Sequence, residues 1–297
     1  MLRFGIDLGG TKIEGAVLDA TGRVLFRERM PTEADLGYAH IIERTGQMYD
    51  RMAQFAVSTG DARHSLGVGT PGSIAPATGR LRNSNTVHLN GQPVVETLER
   101  RFGRRFAIQN DANCFALAEA LHGAGRGHRM VFGVIIGTGC GGGLVIDGRL
   151  HIGRQGIGGE WGHTSIDPNG VACFCGQRGC VETFISGSGL ERQYQALTGA
   201  SLTATDLVAK WRAGDHACSA IMSAFFSHFG RALANLVNIL DPDVVVIGGG
   251  LSNISEIYAI GVARCRAMVF TDEASTPIIQ HELGDSAGVI GAALLGV

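Results

Sequence analysis

Short apolar blocks separated by glycine turns open the chain. Residues 3–8 read as a strand, Gly9-Gly10-Thr11-Lys12 as a turn, and residues 14–18 as a second strand that stops at Asp19-Ala20-Thr21-Gly22. The glycines lead into another strand rather than a helix, so this is not a dinucleotide fingerprint. The pattern returns further on. Phe4, Gly5, Gly9, Gly15, Val17 and Asp19 recur at a constant offset as Phe132, Gly133, Gly137, Gly143, Val145 and Asp147. Each hairpin is followed by a turn and a further strand-like segment, residues 23–29 and 149–152. The chain therefore reads as two halves built on one plan, and a ligand held between them would face both glycine turns.

Between the hairpins, residues 37–57 carry helical apolar spacing, and residues 65–69 form a short strand stopped by Pro71-Gly72. Residues 73–91 read as a polar loop rich in asparagine. A helix over 94–101 and a strand over 105–109 follow, and the strand runs straight into Asn110-Asp111-Ala112-Asn113. Residues 114–121 are helical and end at Gly123, so Asp111 sits where a strand ends and a helix begins. After the second hairpin, residues 188–197, 204–213 and 218–240 predict a helical layer. Residues 244–247 predict a buried parallel strand leading through Gly248-Gly249-Gly250 into another helical segment. Residues 277–280 predict a final strand, and 286–295 a helix whose Gly288, Gly291, Ala292 and Ala293 allow tight packing.

Composition narrows the partners. The 297 residues leave room for two domains, and 45% hydrophobic content is ordinary for a globular chain. A net charge of -2, from 25 basic and 27 acidic residues, argues against a nucleic-acid surface or a polybasic membrane contact and favours small-molecule partners. No positively charged leader precedes an apolar stretch, and no run approaches the ~18 apolar residues of a membrane helix, so a cytoplasmic protein is expected. The 45 glycines are about twice the ~7% average and cluster after apolar runs, where backbone turns sharply or approaches a ligand.

Seven cysteines without an export signal point to metal ligation rather than disulfides. Cys114, Cys140, Cys218 and Cys265 are scattered and read as small buried residues. The other three gather with a histidine. His163, Cys173, Cys175 and Cys180 have the pattern Hx9CxCx4C, four N and S donors of the kind a structural zinc takes; the complete set leaves no open position for catalysis. Glu160 and Glu182 bracket it and are free to hydrogen-bond a polar ligand such as a substrate's hydroxyls. The glycine turns, with Thr11, Thr138 and Lys12 as added donors, suit the phosphates of a nucleoside triphosphate, or are simply tight hairpins. Asp7 reads as a Mg²⁺ ligand or as an acceptor for loop amides. Asp111 reads as a base for a hydroxyl nucleophile or as a helix N-cap, and Asn110 or Asn113 could equally bond turn amides.

Taken together, DLGGTK at 7–12, PG at 71–72, NDAN at 110–113, IGTGCGGG at 136–143, GEWGH at 159–163, CxCGxxGCxE from Cys173 and IGGG at 247–250 resemble the ROK family of sugar kinases over the whole chain. The resemblance implies a duplicated α/β fold of the actin-like, hexokinase-like, ribonuclease H-like ATPase type. Its domains would be a small one over 1–112, completed by a C-terminal helix at 286–297, and a large one over 113–285. It implies that Asp111 is the catalytic base, that Asn85, Asn110, Glu160, His163 and Glu182 bind the sugar, and that His163 also holds zinc with the three cysteines. It places ATP phosphates over Gly9, Gly10, Thr11 and Lys12 and over Gly137, Thr138 and Gly139, with adenosine near Gly248, Gly249 and Gly250. Mg²⁺ would accompany ATP, and the protein would form a homodimer. The runs at 71–79, 83–93 and 182–187 are most similar to bacterial fructokinases of the mannofructokinase kind, with N-acetylglucosamine kinases and glucokinases as the alternative. With the first strand at about Arg3, a family repressor with a DNA-binding region is not expected. The rivals of another class are a non-catalytic zinc-binding module and an actin-like or chaperone ATPase with a protein client.

Overall fold

The computed structural model describes residues 1–296. Its first half contains β1 (Leu2–Leu8), β2 (Lys12–Leu18), β3 (Val24–Pro31), helix α1 (Tyr38–Ser58) and β4 (His64–Thr70). A small hairpin of β5 (Ser73–Ile74) and β6 (Leu81–Arg82) follows, then α2 (Val94–Phe102) and β7 (Ala107–Asn110). The main strands lie in the order β3-β2-β1-β4-β7. The first three are antiparallel neighbours, and β4 and β7 run parallel to β1.

After helix α3 (Asp111–His122), the plan repeats with β8 (Met130–Ile136), β9 (Cys140–Ile146) and β10 (Arg149–Leu150). The helices α4 (Val181–Ile185), α5 (Gly187–Thr198), α6 (Ala204–Arg212) and α7 (His216–Leu240) come next. They are followed by β11 (Val244–Gly248), α8 (Val262–Arg266), β12 (Ile278–Gln280) and α9 (Ala287–Leu294). The second sheet has the order β10-β9-β8-β11-β12, the counterpart of the first, and β11 again runs parallel to the strand that opens the half. The repeat of glycine hairpins in the sequence is thus a repeat of whole sheets.

The two halves exchange their last helices. Helix α3 follows the first sheet but packs on β8 and β9, whereas α9 follows the second sheet but packs on β1 and β4. The two helices also pack on each other. Glycines make the approach close enough: a β-carbon on Gly5 of β1 would run into the Val289 carbonyl, one on Gly133 of β8 into Ala116, and one on Gly291 into the Cys114 carbonyl. Nine consecutive residues of α3, Ala112 through Ala120, are buried, as befits a helix enclosed by protein on all sides. A core of Ala16, Ala116, Val131, Val246, Val289 and Ala293 fills this middle layer. Separate cores lie outside it, one around Phe4, Met48 and Leu98 and one around Phe225, Phe229 and Ile247.

A buried carboxylate fastens the crossing. Glu119 of α3 is fully enclosed and accepts from the backbone N–H groups of Ala124 (2.9 Å), Glu282 (3.1 Å) and Leu283 (2.9 Å), tying α3 to the lead-in of α9. Glu14 of β2 is equally buried; it accepts from Arg29 Nε at 2.7 Å and from the Ser286 hydroxyl at 3.1 Å, just before α9.

Three sequence expectations change. Residues 73–91 are not a plain loop but carry the β5–β6 hairpin and a single 3₁₀ turn at Val87–Leu89, because Ser84 and Asn90 bond each other across the excursion. The segment after Gly248-Gly249-Gly250 is a 3₁₀ turn, then a π turn at Ile257–Gly261 before α8, rather than one helix. The N-cap of α3 is Asn110, whose side chain accepts from the Asn113 N–H at 2.7 Å; Asp111 is the first helical residue. The crossing makes one direct prediction: Gly291→Val should cost about 3 kcal/mol or more, read as a fall in the urea midpoint without a change in slope. An unchanged midpoint would show that the α3–α9 contact is slack.

Candidate functional site

A cleft of about 980 Å³ opens where the strand ends of the two halves meet. Asp111 lines it from the start of α3, Asn85 from the excursion after β6, Gly137, Thr138 and Gly139 from the β8–β9 turn, and His163 and Glu182 from the segment beyond β10. Sequence reading singled out all of these from separate stretches, and the fold brings them to one wall-to-wall space. Asn110 and Glu160 sit beside it, Asn110 Nδ2 donating to Glu160 Oε1 at 3.5 Å across the two halves.

Glu182 is less free than its position beside a complete metal set suggested. Its Oε2 accepts from the Cys140 N–H at 2.9 Å and so braces the second glycine turn from below. The turn is held from the other side by the start of α5, where the Gly187 N–H and the Ser188 hydroxyl donate to the carbonyls of Gly137 and Thr138, both at 2.7 Å. Next to it lies the third turn, for a β-carbon on Gly137 would come 3.9 Å from the Gly250 amide nitrogen. In the first turn the Gly9 N–H donates to the Lys12 carbonyl at 3.0 Å, closing a hairpin. Thr11 and Lys12 are exposed there, and Lys12 Nζ stands 3.9 Å from Glu14. The residues of the first and third turns do not line the cleft itself.

The acids at the junction share an electrostatic cost. Asp7, at the end of β1, takes no hydrogen bond from any described residue; burial, then the charges of Asp111 and Glu14, push its pKa up from 3.8 to about 7, against the pull of Lys12 and Arg29. Solvent reaches Asp111 through the cleft, yet the surrounding halves enclose it. That burial is the main force raising its pKa, aided by Glu160 and opposed by the Ala112 N–H, which donates to its carboxylate at 2.8 Å. Unpaired carboxylates packed together suit a cation or a proton as their missing partner.

The four donors predicted from spacing converge. The ligand atoms of His163, Cys173, Cys175 and Cys180 all lie within 4.8 Å of one another, with Cys173 Sγ 3.7 Å from His163 Nδ1 and Cys175 Sγ 3.5 Å from Cys180 Sγ. All seven cysteines are free thiols. Three thiols and one imidazole in this arrangement match a tetrahedral zinc, and because Nδ1 faces the sulfurs, Nε2 is the nitrogen left for other partners. Sequence reading missed Arg80, Arg82, Ser186, Ser188 and Arg192, which also line the cleft. No motif marks the arginines; the two serines lie in the ISGS run, where the small residues and the N-cap position of Ser186 were a usable signal.

Duplicated sheets with exchanged helices and a cleft walled by a glycine turn define the actin-like, hexokinase-like ATPase architecture. Within it, the chain belongs to the ROK family, whose model matches residues 3–296. An N-acetyl-D-glucosamine kinase of Pasteurella multocida is 35% identical over 308 residues, covering 99% of each chain. The ROK hexokinase of Thermus thermophilus superposes with a TM-score of 0.89 at 33% identity, covering 100% of this chain and 98% of that one. A ROK family glucokinase of Streptomyces griseus, solved with glucose and AMPPNP, gives 0.79 at 28% identity, covering 100% and 99%. These relatives carry the names of N-acetylglucosamine kinases and of a glucokinase, so the family reading stands and the narrower likeness to fructokinases finds no support in them. No helix of the described residues is long and apolar enough to cross a membrane.

The acid cluster is testable through stability. A carboxylate with a raised folded pKa costs nothing while protonated in both states and costs most once ionised in both, so its burden grows from about pH 4 and is complete above about pH 7. Without nucleotide or divalent metal, Asp7→Asn should therefore stabilise the protein at pH 8, on the order of 1 kcal/mol or more, and by less at pH 5. Urea melts at the two pH values decide; an equal or larger gain at pH 5 would contradict the placement of the charge.

Proposed function

We propose that the chain is an ATP-dependent sugar kinase that transfers the γ-phosphoryl group to the 6-hydroxyl of a hexose, with N-acetylglucosamine as preferred substrate and glucose as the second choice. Asp111 is the observation that carries this reading: a partly enclosed carboxylate at a helix start, in a cleft walled by a glycine turn from one half and hydroxyl-binding side chains from both. Fructose was the sugar expected from the loops; the names of the relatives favour the N-acetylhexosamine instead.

In the mechanism, Asn85, Asn110, Glu160, His163 and Glu182 hold the sugar's hydroxyls, each as donor or acceptor according to its chemistry. Asp111 accepts the proton of the attacking hydroxyl, and its raised pKa makes it a stronger base than an ordinary aspartate. The second glycine turn, Gly137, Thr138 and Gly139, with the first, Gly9, Gly10, Thr11 and Lys12, from the opposite half, receives the triphosphate charge during in-line transfer through the N–H groups that do not already close the hairpins. Adenosine lies toward Gly248, Gly249 and Gly250, beside the second turn. Asp7 would hold the Mg²⁺ that accompanies ATP, which when bound neutralises phosphate charge. The zinc held by His163, Cys173, Cys175 and Cys180 is structural; it stiffens the wall that carries Glu160, His163 and Glu182.

The halves on either side of the α3–α9 crossing, residues 1–112 with 286–297 and residues 113–285, act as the two closing domains, and sugar binding drives the closure that excludes water. The reading includes a homodimer, which the mass in solution tests.

A coupled ADP-release assay with N-acetylglucosamine, glucose, mannose, fructose and N-acetylmannosamine tests the substrate. Asp111→Asn should lower kcat by at least ~10²–10⁴-fold with ATP binding retained, and wild-type turnover in that variant would remove Asp111 from the role of base. The base must be ionised to work, so kcat/KM should fall on the acid side through a pKa above the ordinary carboxylate range. Purified protein should carry one zinc per chain. Cys175→Ser should lose it, melt earlier, and weaken sugar binding before ATP binding; an unchanged melting curve would refute a structural metal.

A further inference from the structure

We propose that Phe174 selects the substrate, by giving the methyl group of an N-acetylhexosamine an exposed aromatic surface beside the polar side chains of the cleft. The inference rests on the sugar-kinase reading above and extends it to the residue that discriminates among hexoses.

Fourteen large apolar side chains of the described residues are strongly exposed, and Phe174 alone among them lines the cleft. Phe174 is 72% exposed, so most of its surface is left for a ligand. Isolated surface hydrophobics are common and need no explanation, but a phenyl ring on the wall of a ligand cleft is different, because the ligand then decides what it touches. The ring is also held in place. Phe174 stands between Cys173 and Cys175, two of the four converging donors, and meets the His163 imidazole edge-to-face, with centroids 5.1 Å apart at 90°. The same imidazole lines the cleft, so the apolar ring and a hydroxyl-binding group are presented side by side.

The neighbouring polar groups are matched to hydroxyls. Glu182, Asn85 and His163 share the cleft with Phe174, and a hexose hydroxyl turned toward the phenyl ring would lose water without gaining a partner. An acetamido group divides its chemistry to suit both neighbours: its N–H and carbonyl reach the polar groups, while its methyl lies on the ring. A plain hexose offers no such methyl. Discrimination then comes from a contact the preferred sugar gains and from a desolvated hydroxyl the other sugar suffers.

The test compares kcat/KM for N-acetylglucosamine and for glucose in the wild type, Phe174→Ala and Phe174→Leu. Loss of a methyl-sized apolar contact in a pocket is worth roughly ten- to two-hundredfold, so Phe174→Ala should reduce the N-acetylglucosamine-to-glucose ratio about tenfold or more, mostly through KM. Phe174→Leu should restore much of it. Zinc content and melting temperature, measured on the same samples, should match the wild type and so exclude a collapsed loop. A ratio that stays constant, whether both activities fall together or neither changes, overturns the proposal. If the wild type fails to phosphorylate N-acetylglucosamine at all, the substrate reading fails first. If the wild type phosphorylates it and the ratio does not move, only the assignment of Phe174 fails.

Discussion

The crossing of α3 and α9 is the contact on which the rest of the molecule depends. Gly291 lies against the Cys114 carbonyl with no space for a side chain, and each helix covers the sheet of the opposite half through a glycine in that sheet's first strand. Gly5 and Gly133 occupy the same place in the two repeats and meet the exchanged helix in the same way. The arrangement fixes the start of α3, and with it Asp111, at the boundary between the halves. Glu119 and Glu14 add directional bonds around the lead-in to α9, so the junction combines close backbone packing with buried charges whose partners are supplied.

Electrostatics at the strand ends work in the opposite sense. Asp7 and Asp111 are held near each other with burial opposing ionisation, and no described donor satisfies Asp7. A folded protein tolerates such a cost where a ligand relieves it. The contrast with Glu119 is instructive: that carboxylate is more deeply enclosed yet fully bonded, and it belongs to the framework. Burial is common to Glu119 and Asp7, and what separates them is the supply of donors, three backbone N–H groups for the first and none among the described residues for the second.

Much of this was legible in the sequence because the signals were local. The glycine hairpins announced the duplicated sheets, and Hx9CxCx4C announced four donors that do converge. Asp111 was located at a strand–helix junction by the pattern around it, though its capping neighbour had to be seen. What stayed hidden depended on distant partners. No local pattern links Glu182 to the Cys140 amide, sets Glu119 against residues 282 and 283, or sends α3 to the second sheet and α9 to the first. The loop at 73–91 folded into a hairpin for the same reason, since Ser84 and Asn90 find each other only once the chain has turned. Arg82 and Arg192 reached the cleft without any motif to mark them.

The exchange of helices also bears on the order in which the protein can be completed. Strands β1, β2, β3, β4 and β7 are all made before the second half exists, but the face of β1 and β4 that α9 covers otherwise meets only the start of α3, at β4. During synthesis that sheet must wait, one side bare, until nearly all of the remaining chain has followed. The half that is translated first is therefore finished last, and neither repeat can be a self-sufficient folding unit despite having its own sheet and its own outer core.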